Sequence, residues 1–439
     1  MIKNKIFFSL FFSFVIVLSV VFPAFSAAEE PVEIFTLKQT IENAIKANIG
    51  LQSSREGTRA ALFAKKYQRT YFLPTFSATY RYKHNDDNDY FGATVLEDEY
   101  FFIASINQPL FTGFDLINRY KIASLGLDVA KINEKLVRQG IIFEAKNLFF
   151  SILKAQKIMS VSQEAVTLLT AHKEVAKNFY QVGMTPLNDL LKAQVELANT
   201  KQDFIIAQNN LEIAKSNFNI FLRRPINSPV QLKDVLDYTT FGYNIDYCLG
   251  EAEKNRLEIT TAALNVEIGE KELKLSRKDY YPSISLQGNY YRMGTEPDLS
   301  GEEGISDPSS WDIQAVATWN FWEWGRSHYG VKEKKSRLLQ ARHQKEEIRD
   351  SIRLEVKQAF LKTGESEKNI ITVKKAIEQA KENFRISEER YKEQMATSTD
   401  VLDAQTLLSK TKTNYYNALY DYKISKAALY RAMGQEIIE

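Results

Sequence analysis

The chain has 439 residues, with 57 basic against 55 acidic side chains and a single cysteine, Cys248. Near-neutrality argues against a nucleic-acid partner, and one cysteine excludes an intramolecular disulfide framework. The length is enough for about three average domains.

Lys3 and Lys5 precede the apolar run from Ile6 to Val21, and Ala24, Ser26 and Ala27 follow at small-residue cleavage spacing. Residues 1–27 are therefore expected to be a secretory signal peptide. Its removal leaves 55 basic against 55 acidic residues, a formally neutral chain. No cysteine follows the cleavage site, so N-terminal acylation is not expected. Beyond residue 27 no stretch approaches the roughly 18 to 20 apolar residues of a membrane-spanning helix, and a passage through a membrane would have to be made by strands.

A first repeat is expected over residues 28–222. It opens with a helix at about 37–70 and then changes period from helical to two. Thr75, Ser77, Thr79, Arg81 and Lys83 alternate with Phe76, Ala78, Tyr80 and Tyr82, which predicts a strand at about 75–83. After a polar loop comes a second strand at about 100–108. The long helix 114–180 contains only Gly126 and Gly140 as breakers; at 1.5 Å per residue it would be about 100 Å long and would need other long helices beside it. Val182, Gly183, Met184, Thr185 and Pro186 form a hinge, in which Gly183 suits a left-handed C-terminal cap, Thr185 an N-cap and Pro186 a first helical turn. A returning helix fills 186–222, and residues 223–249 form a linker.

The second repeat, 250–434, has the same plan. After an opening helix and Pro282, Ser283, Ser285, Gln287 and Asn289 alternate with Ile284, Leu286, Gly288 and Tyr290, giving strands at about 283–291 and 311–321. A long helix at 326–391, a returning helix at 398–433 and a short tail at 435–439 follow. With an offset of 211 residues, Tyr180 to Phe218 aligns without gaps on Tyr391 to Leu429 with twelve identities in 39 positions. One heptad seam reads Leu190, Leu197, Phe204, Leu211, Phe218 against Val401, Leu408, Tyr415, Tyr422, Leu429. A second reads Ala193, Thr200, Ala207, Ala214 against Ala404, Thr411, Ala418, Ser425. Such repeats mean coiled-coil packing, and the small residues let a neighbouring helix approach closely. The second hinge, Glu393 to Thr397, keeps Met395 but lacks both glycine and proline, so its turn is expected to be built differently.

Strands of about 9 to 11 residues with one apolar and one polar face fit a transmembrane barrel. A soluble hairpin packed on helices would alternate equally well. The four tryptophans, Trp311, Trp319, Trp322 and Trp324, fall within 14 residues near Tyr290, and this clustering favours an interfacial girdle. Four strands cannot close a barrel, and lipid does not tolerate an open sheet edge, so the barrel would be shared between chains. The histidines His84, His172, His328 and His343 lie scattered without metal-ligand spacing. There is no glycine-rich phosphate loop and no Gly-x-Ser-x-Gly, so no catalysis, metal or cofactor is expected. The competing reading is a periplasmic coiled-coil scaffold that never spans a membrane.

These parts in this order resemble the TolC-like outer-membrane factor family over essentially the whole mature chain. The residues that carry the likeness are the strand starts Leu73-Pro74 and Tyr281-Pro282, the strand ends Gln108 to Gly113 and Asn320 to Gly325, and the tips Val182 to Met184 and Asp400 to Gln405. The resemblance implies a mainly α fold with transmembrane β. In it a homotrimer forms a twelve-stranded barrel in outer-membrane lipid, continued by a helical barrel in the periplasm. It also implies an exit duct for an efflux pump or a type I secretion system, docked to a periplasmic adaptor and an inner-membrane transporter.

In that family Val182, Gly183 and Met184, with Met395, would touch the adaptor, and Asp400 and Asp403 would line the entrance. An arginine lock would fall at Ala396, so closure is expected in a hydrogen bond between Tyr391 and Asp189 of the neighbouring hairpin. Read locally, Thr397 caps a helix with Asp400 three residues on, while Asp403 is matched in the first copy by Lys192. Six carboxylates gathered around an axis would raise one another's pKa values. The sequence ends at Glu439, so an extended C-terminal part of the equatorial belt is not expected. The cargo class is not written in these residues.

Overall fold

The computed structural model describes residues 34–86, 97–235, 237–300 and 309–437. The expected signal peptide and residues 87–96 and 301–308 of the two strand-connecting segments lie outside the described residues. In chain order the first copy contains β1 (Ile34–Phe35), α1 (Leu37–Ala47), α2 (Ile49–Thr70), β2 (Thr75–His84), β3 (Asp98–Thr112), α3 (Asp115–Gln181) and α4 (Leu187–Phe221). After β4 (Gln231–Leu232), the second copy contains α5 (Ile245–Asn255), α6 (Leu257–Leu275), β5 (Ser283–Gly294), β6 (Ser309–Thr318), α7 (Arg326–Lys392) and α8 (Ser398–Ala432). The two long helices have 67 residues each and the two returning helices 35 each.

The opening helix of each copy is broken, which corrects the single helix expected at 37–70. At Asn48 the backbone turns extended (ψ 120°), its N–H closes α1 on Ala44, and its side chain accepts from the Leu51 N–H to start α2. Arg256 makes the same break in the second copy (ψ 117°) without a side-chain cap. Its buried guanidinium instead pairs with Glu258 and with Glu355 of α7, and donates to the Ala432 carbonyl. The linker ends sooner than expected, because the Asn244 side chain accepts from the Tyr247 N–H and starts α5.

The four long strands form one antiparallel sheet in the order β2-β3-β5-β6, leaving β2 and β6 as edges. Register sorts the alternation into two faces. Ala78, Ala104, Tyr290 and Trp311 stand in one row, beside Phe76, Ile106, Gly288 and Ile313. The opposite face carries the row Ser77, Ser105, Asn289, Asp312, with Asn289 donating to Asp312 at 3.0 Å. β3 runs on to Thr112 through a bulge between Pro109 and Phe111, longer than the sequence suggested. β6 stops at Thr318, so Trp319, Trp322 and Trp324 follow the strand and are not part of it.

Near the sheet the helices lie in the order α2, α3, α6, α7, which repeats the strand order; at the far end the order is α4, α3, α8, α7. The small-residue seams are buried there, with Ala193, Thr200 and Ala207 on α4 and Ala404, Thr411 and Ala418 on α8. Midway, β1 pairs parallel with β4, and Phe35, Ile41, Ile152 and Phe218 form a core beneath them. The linker crosses α8, where the Tyr420 hydroxyl donates to Asp234 at 3.1 Å and the Tyr422 hydroxyl donates to the Thr239 carbonyl at 2.6 Å. Residues 435–437 fold back on α3, with Arg138 paired to Glu436 at 2.9 Å. No helix among the described residues is long and apolar enough to cross a membrane.

Candidate functional site

Two turns meet at the end of the molecule remote from the sheet. In the first, Gly183 sits in the left-handed region (φ +77°), its N–H donates to the Tyr180 carbonyl and the Met184 N–H donates to the Phe179 carbonyl at 2.8 Å. This is the six-to-one pattern that closes a helix on a left-handed residue. The second turn repeats it bond for bond: Gln394 N–H to the Tyr391 carbonyl at 3.0 Å, Met395 N–H to the Arg390 carbonyl at 2.7 Å, with Gln394 at φ +60°. The expectation of a different turn is therefore corrected, since a glutamine takes the glycine's place and accepts a left-handed strain of about 1–2 kcal/mol. The Gln394 amide also reaches the Met184 sulfur at 3.6 Å, so the tips touch.

Helix starts differ from the expected caps at one tip. Pro186 stands at the N-cap of α4 and not within its first turn, and the Thr185 hydroxyl is buried without a hydrogen-bond partner. At the other tip Thr397 and Asp400 form a reciprocal capping box: the Asp400 N–H donates to the Thr397 hydroxyl, while the Asp400 carboxylate accepts from the Thr397 N–H and hydroxyl, both at 2.8 Å. Hydrogen bonds from the Thr397 backbone and side chain hold the Asp400 carboxyl below the usual carboxylate range. Within one chain this direction opposes the rise that a ring of like charges would produce.

Asp403 is exposed and borders a groove between α4 and α8 that Lys192 also lines. Lys192 donates to the Thr399 hydroxyl at 3.1 Å. Val182, Met184 and Met395 are exposed at the tips. Tyr391, in contrast, is 2% exposed and its hydroxyl has no hydrogen-bond partner within the chain. Burial first and then the charge of Asp189 raise the Tyr391 pKa, while the Ser398 hydroxyl beside it lowers it, and Tyr391 and Asp189 are not hydrogen bonded.

The residue that sequence reasoning passed over is His172. It is buried on α3, its Nε2 is 2.8 Å from the Ser398 Oγ at the start of α8, and its ring lies 4.9 Å from that of Tyr391. Leu169, His172 and Ala176 are all buried on α3, so a polar residue occupies a seam position. Its place in the heptad register, and not its distance from other histidines, was the available signal. No group of metal-binding side chains occurs among the described residues.

The sheet is the second candidate region. Trp311 projects from β6, while Trp319, Trp322 and Trp324 follow it, all exposed. Tyr290 stands beside Trp311 in register.

The family model described as "Outer membrane efflux protein" matches residues 40–218 and 248–435. The chain is 22% identical over 308 residues to "Outer membrane protein TolC" of Escherichia coli (strain K12), a match covering 68% of this chain and 62% of that one. It is 19% identical over 406 residues to "Outer membrane efflux protein BepC" of Brucella suis biovar 1 (strain 1330), covering 91% and 85%. Among solved structures, the Campylobacter jejuni CmeC outer membrane channel superposes with a TM-score of 0.82 at 17% identity, covering 91% of this chain and 85% of that one. The outer membrane protein VceC from Vibrio cholerae gives 0.80 at 16% identity, covering 91% and 96%.

Proposed function

The chain belongs to the outer membrane efflux protein family, and from that premise we propose that it is a passive exit duct of the outer membrane. Copies of the chain join into a trimer, and the substrate leaves through its axis after an inner-membrane transporter and a periplasmic adaptor have delivered it. The observation that carries this reading is the four-stranded sheet with two open edges and one apolar face. Phe76, Trp311 and Ile313 on that face are each at least two-thirds exposed in the single chain, and no helix covers them. A periplasmic scaffold would leave that surface in water, whereas lipid would cover it.

Closure follows from the edges. An unpaired strand in lipid leaves backbone groups without partners, each costing several kcal/mol, so β6 of one copy has to pair with β2 of the next. The helical half supports the same joint. α4 and α7 are its outer helices, and α4 exposes Ile206, Ile213 and Ile220 at seven-residue spacing while α7 exposes Leu354 and Leu361. Three copies supply twelve strands and, in the periplasm, a tunnel of twelve helical segments. The row Ser77, Ser105, Asn289, Asp312 then faces the water-filled lumen. The tips, with Val182, Gly183, Met184 and Met395, meet the adaptor, and Asp400, Asp403, Asp189 and Tyr391 surround the entrance. The duct serves an efflux pump or a type I secretion system, and the chain's own chemistry is transport without catalysis.

The test is assembly and conduction. Native mass measurement in detergent should give a trimer, and the trimer should form ion-conducting pores in planar bilayers. A stable monomer that carbonate or urea washes from membranes, with no conductance, refutes the reading.

A further inference from the structure

If the tips are the entrance of a duct, as proposed above, His172 lies at the joint that would have to open there. Among the contacts that join the two hairpins near the tips, Lys192 to Thr399 and Gln394 to Met184 are exposed. The contact between His172 and Ser398 is buried, and Ser398 itself is 0% exposed. Ser398 is the first residue of α8, directly after its cap Thr397, so the bond fixes where the second returning helix begins relative to α3. Tyr391 of α7 covers the pair, its ring tilted against those of His172 and Phe179 (centroids 4.9 and 5.6 Å apart) and its hydroxyl beside that of Ser398. Below the cluster, Leu169, Leu197 and Leu402 bring α3, α4 and α8 together in an apolar layer.

We propose that His172 is a positioning residue of the entrance, a buried latch that holds the start of α8 against α3 while neutral and lets it go when protonated. The charged groups facing the ring are few. Asp189 of α4 and Glu388 of α7 act on it from a distance, and Glu388 is itself paired with Lys392 at 2.9 Å. From α8 the contact is the uncharged Ser398, and the nearby acid Asp400 is taken up by its capping box. Burial lowers the pKa of His172 and outweighs the two carboxylates, so the packed arrangement disfavours the charged ring.

Hydration on opening restores an ordinary imidazole, with a pKa of about 6.5. The packed state therefore binds fewer protons than the opened one. Its advantage is complete above about pH 6.5 and declines as pH falls through the depressed value. The latch is closed at neutral pH and weakened in an acidified periplasm.

The experiment compares the full-length trimer in planar bilayers at pH 7.5 and 5.5. In the wild type the open-to-closed ratio should rise by up to about tenfold for each His172 released, the ceiling for a group whose exposed pKa is about 6.5, and so by up to about a thousandfold if the three copies open together. His172→Gln, which keeps a side-chain amide in the pocket but cannot titrate in this range, should flatten the response. Ser398→Ala should raise conductance already at pH 7.5. A full pH response in His172→Gln, or none in the wild type, overturns the latch. A second readout does not need a pore: in histidine-labelled protein in detergent, the ring resonance missing from His172→Gln should titrate below about 6.5 and shift in Ser398→Ala. If no variant conducts, the duct reading fails and the resonance alone decides, with titration at or above 6.5 that Ser398→Ala leaves unmoved overturning the latch.

Discussion

Gly183 and Gln394 occupy the same left-handed position in the two tip turns, at φ +77° and +60°, and support the same pair of helix-closing hydrogen bonds. Only the glycine is free of a Cβ penalty there. Gln394→Gly should therefore stabilise its turn by about 0.5–1 kcal/mol, while Gly183→Gln should loosen the other by a similar amount. Hydrogen exchange at the Met395 and Met184 amides reads the two changes separately. Equal protection before and after substitution would mean that the tips' mutual contact, and not the backbone, holds these turns.

Positive φ does not make all glycines equivalent. A Cβ on Gly183 meets nothing within 4 Å, whereas one on Gly113, at the junction of β3 and α3, would lie 2.4 Å from the Lys278 carbonyl oxygen. Gly183→Ala should cost about 1 kcal/mol. Gly113→Ala adds a backbone clash and should cost at least about 2 kcal/mol. Heat-modifiable migration of the assembled protein should show a clearly lower transition for Gly113→Ala than for Gly183→Ala; coincident transitions would mean that the junction yields without cost.

Asp400 separates a local role from a collective one. Its lowered pKa makes the cap's contribution complete above the unfolded value of about 3.9, and that contribution is lost only as pH falls through the lower folded value. Between pH 7.5 and 5.5 the Asp400 cap should thus contribute to tip stability without making it pH-dependent in the single chain. Thr397→Ala should cost about 1 kcal/mol, with a range of about 0.5–2 for lost caps. In the proposed trimer, Asp400 and Asp403 would together place six carboxylates at the entrance, where like charges repel one another. The double change Asp400→Ala with Asp403→Ala should reduce cation selectivity and block by multivalent cations. Unchanged selectivity and block would return both aspartates to a structural role.

Periodicity carried most of the architecture. Period two over Thr75 to Lys83 gives a strand two distinct faces, and period seven along Leu190 to Phe218 follows the buried face of α4, so both were legible in the residues. What escaped was set by single contacts. The break at Asn48 carries a capping side chain that could have signalled it, but Arg256 breaks its helix through ion pairs with Glu258 and Glu355, and the latter is 99 residues away in sequence. Gln394 adopts a glycine's conformation because the repeat's hydrogen bonds require it, which no propensity foretells. His172 was missed because its partner Ser398 is 226 residues distant and the pair only forms when the two hairpins pack.

The exposed apolar tip yields the last prediction. Val182, Met184 and Met395 present side chains that are half or more exposed, close together because Gln394 reaches Met184. Unbranched, polarizable methionines suit a surface that must accept a partner's helical hairpin. Met184→Glu places a charge where an apolar contact is proposed, without touching the backbone bonds that form the turn, since those run from the Met184 N–H and not from its side chain. Trimers should form normally and migrate as the wild type does, while cross-linking to the adaptor through the tip should be lost. Gly183→Pro would not discriminate, because it breaks the turn whichever role the tip has. Cross-linking that survives Met184→Glu in intact trimers would leave the tip as a helix cap alone and move the adaptor's docking surface to the groove between α4 and α8.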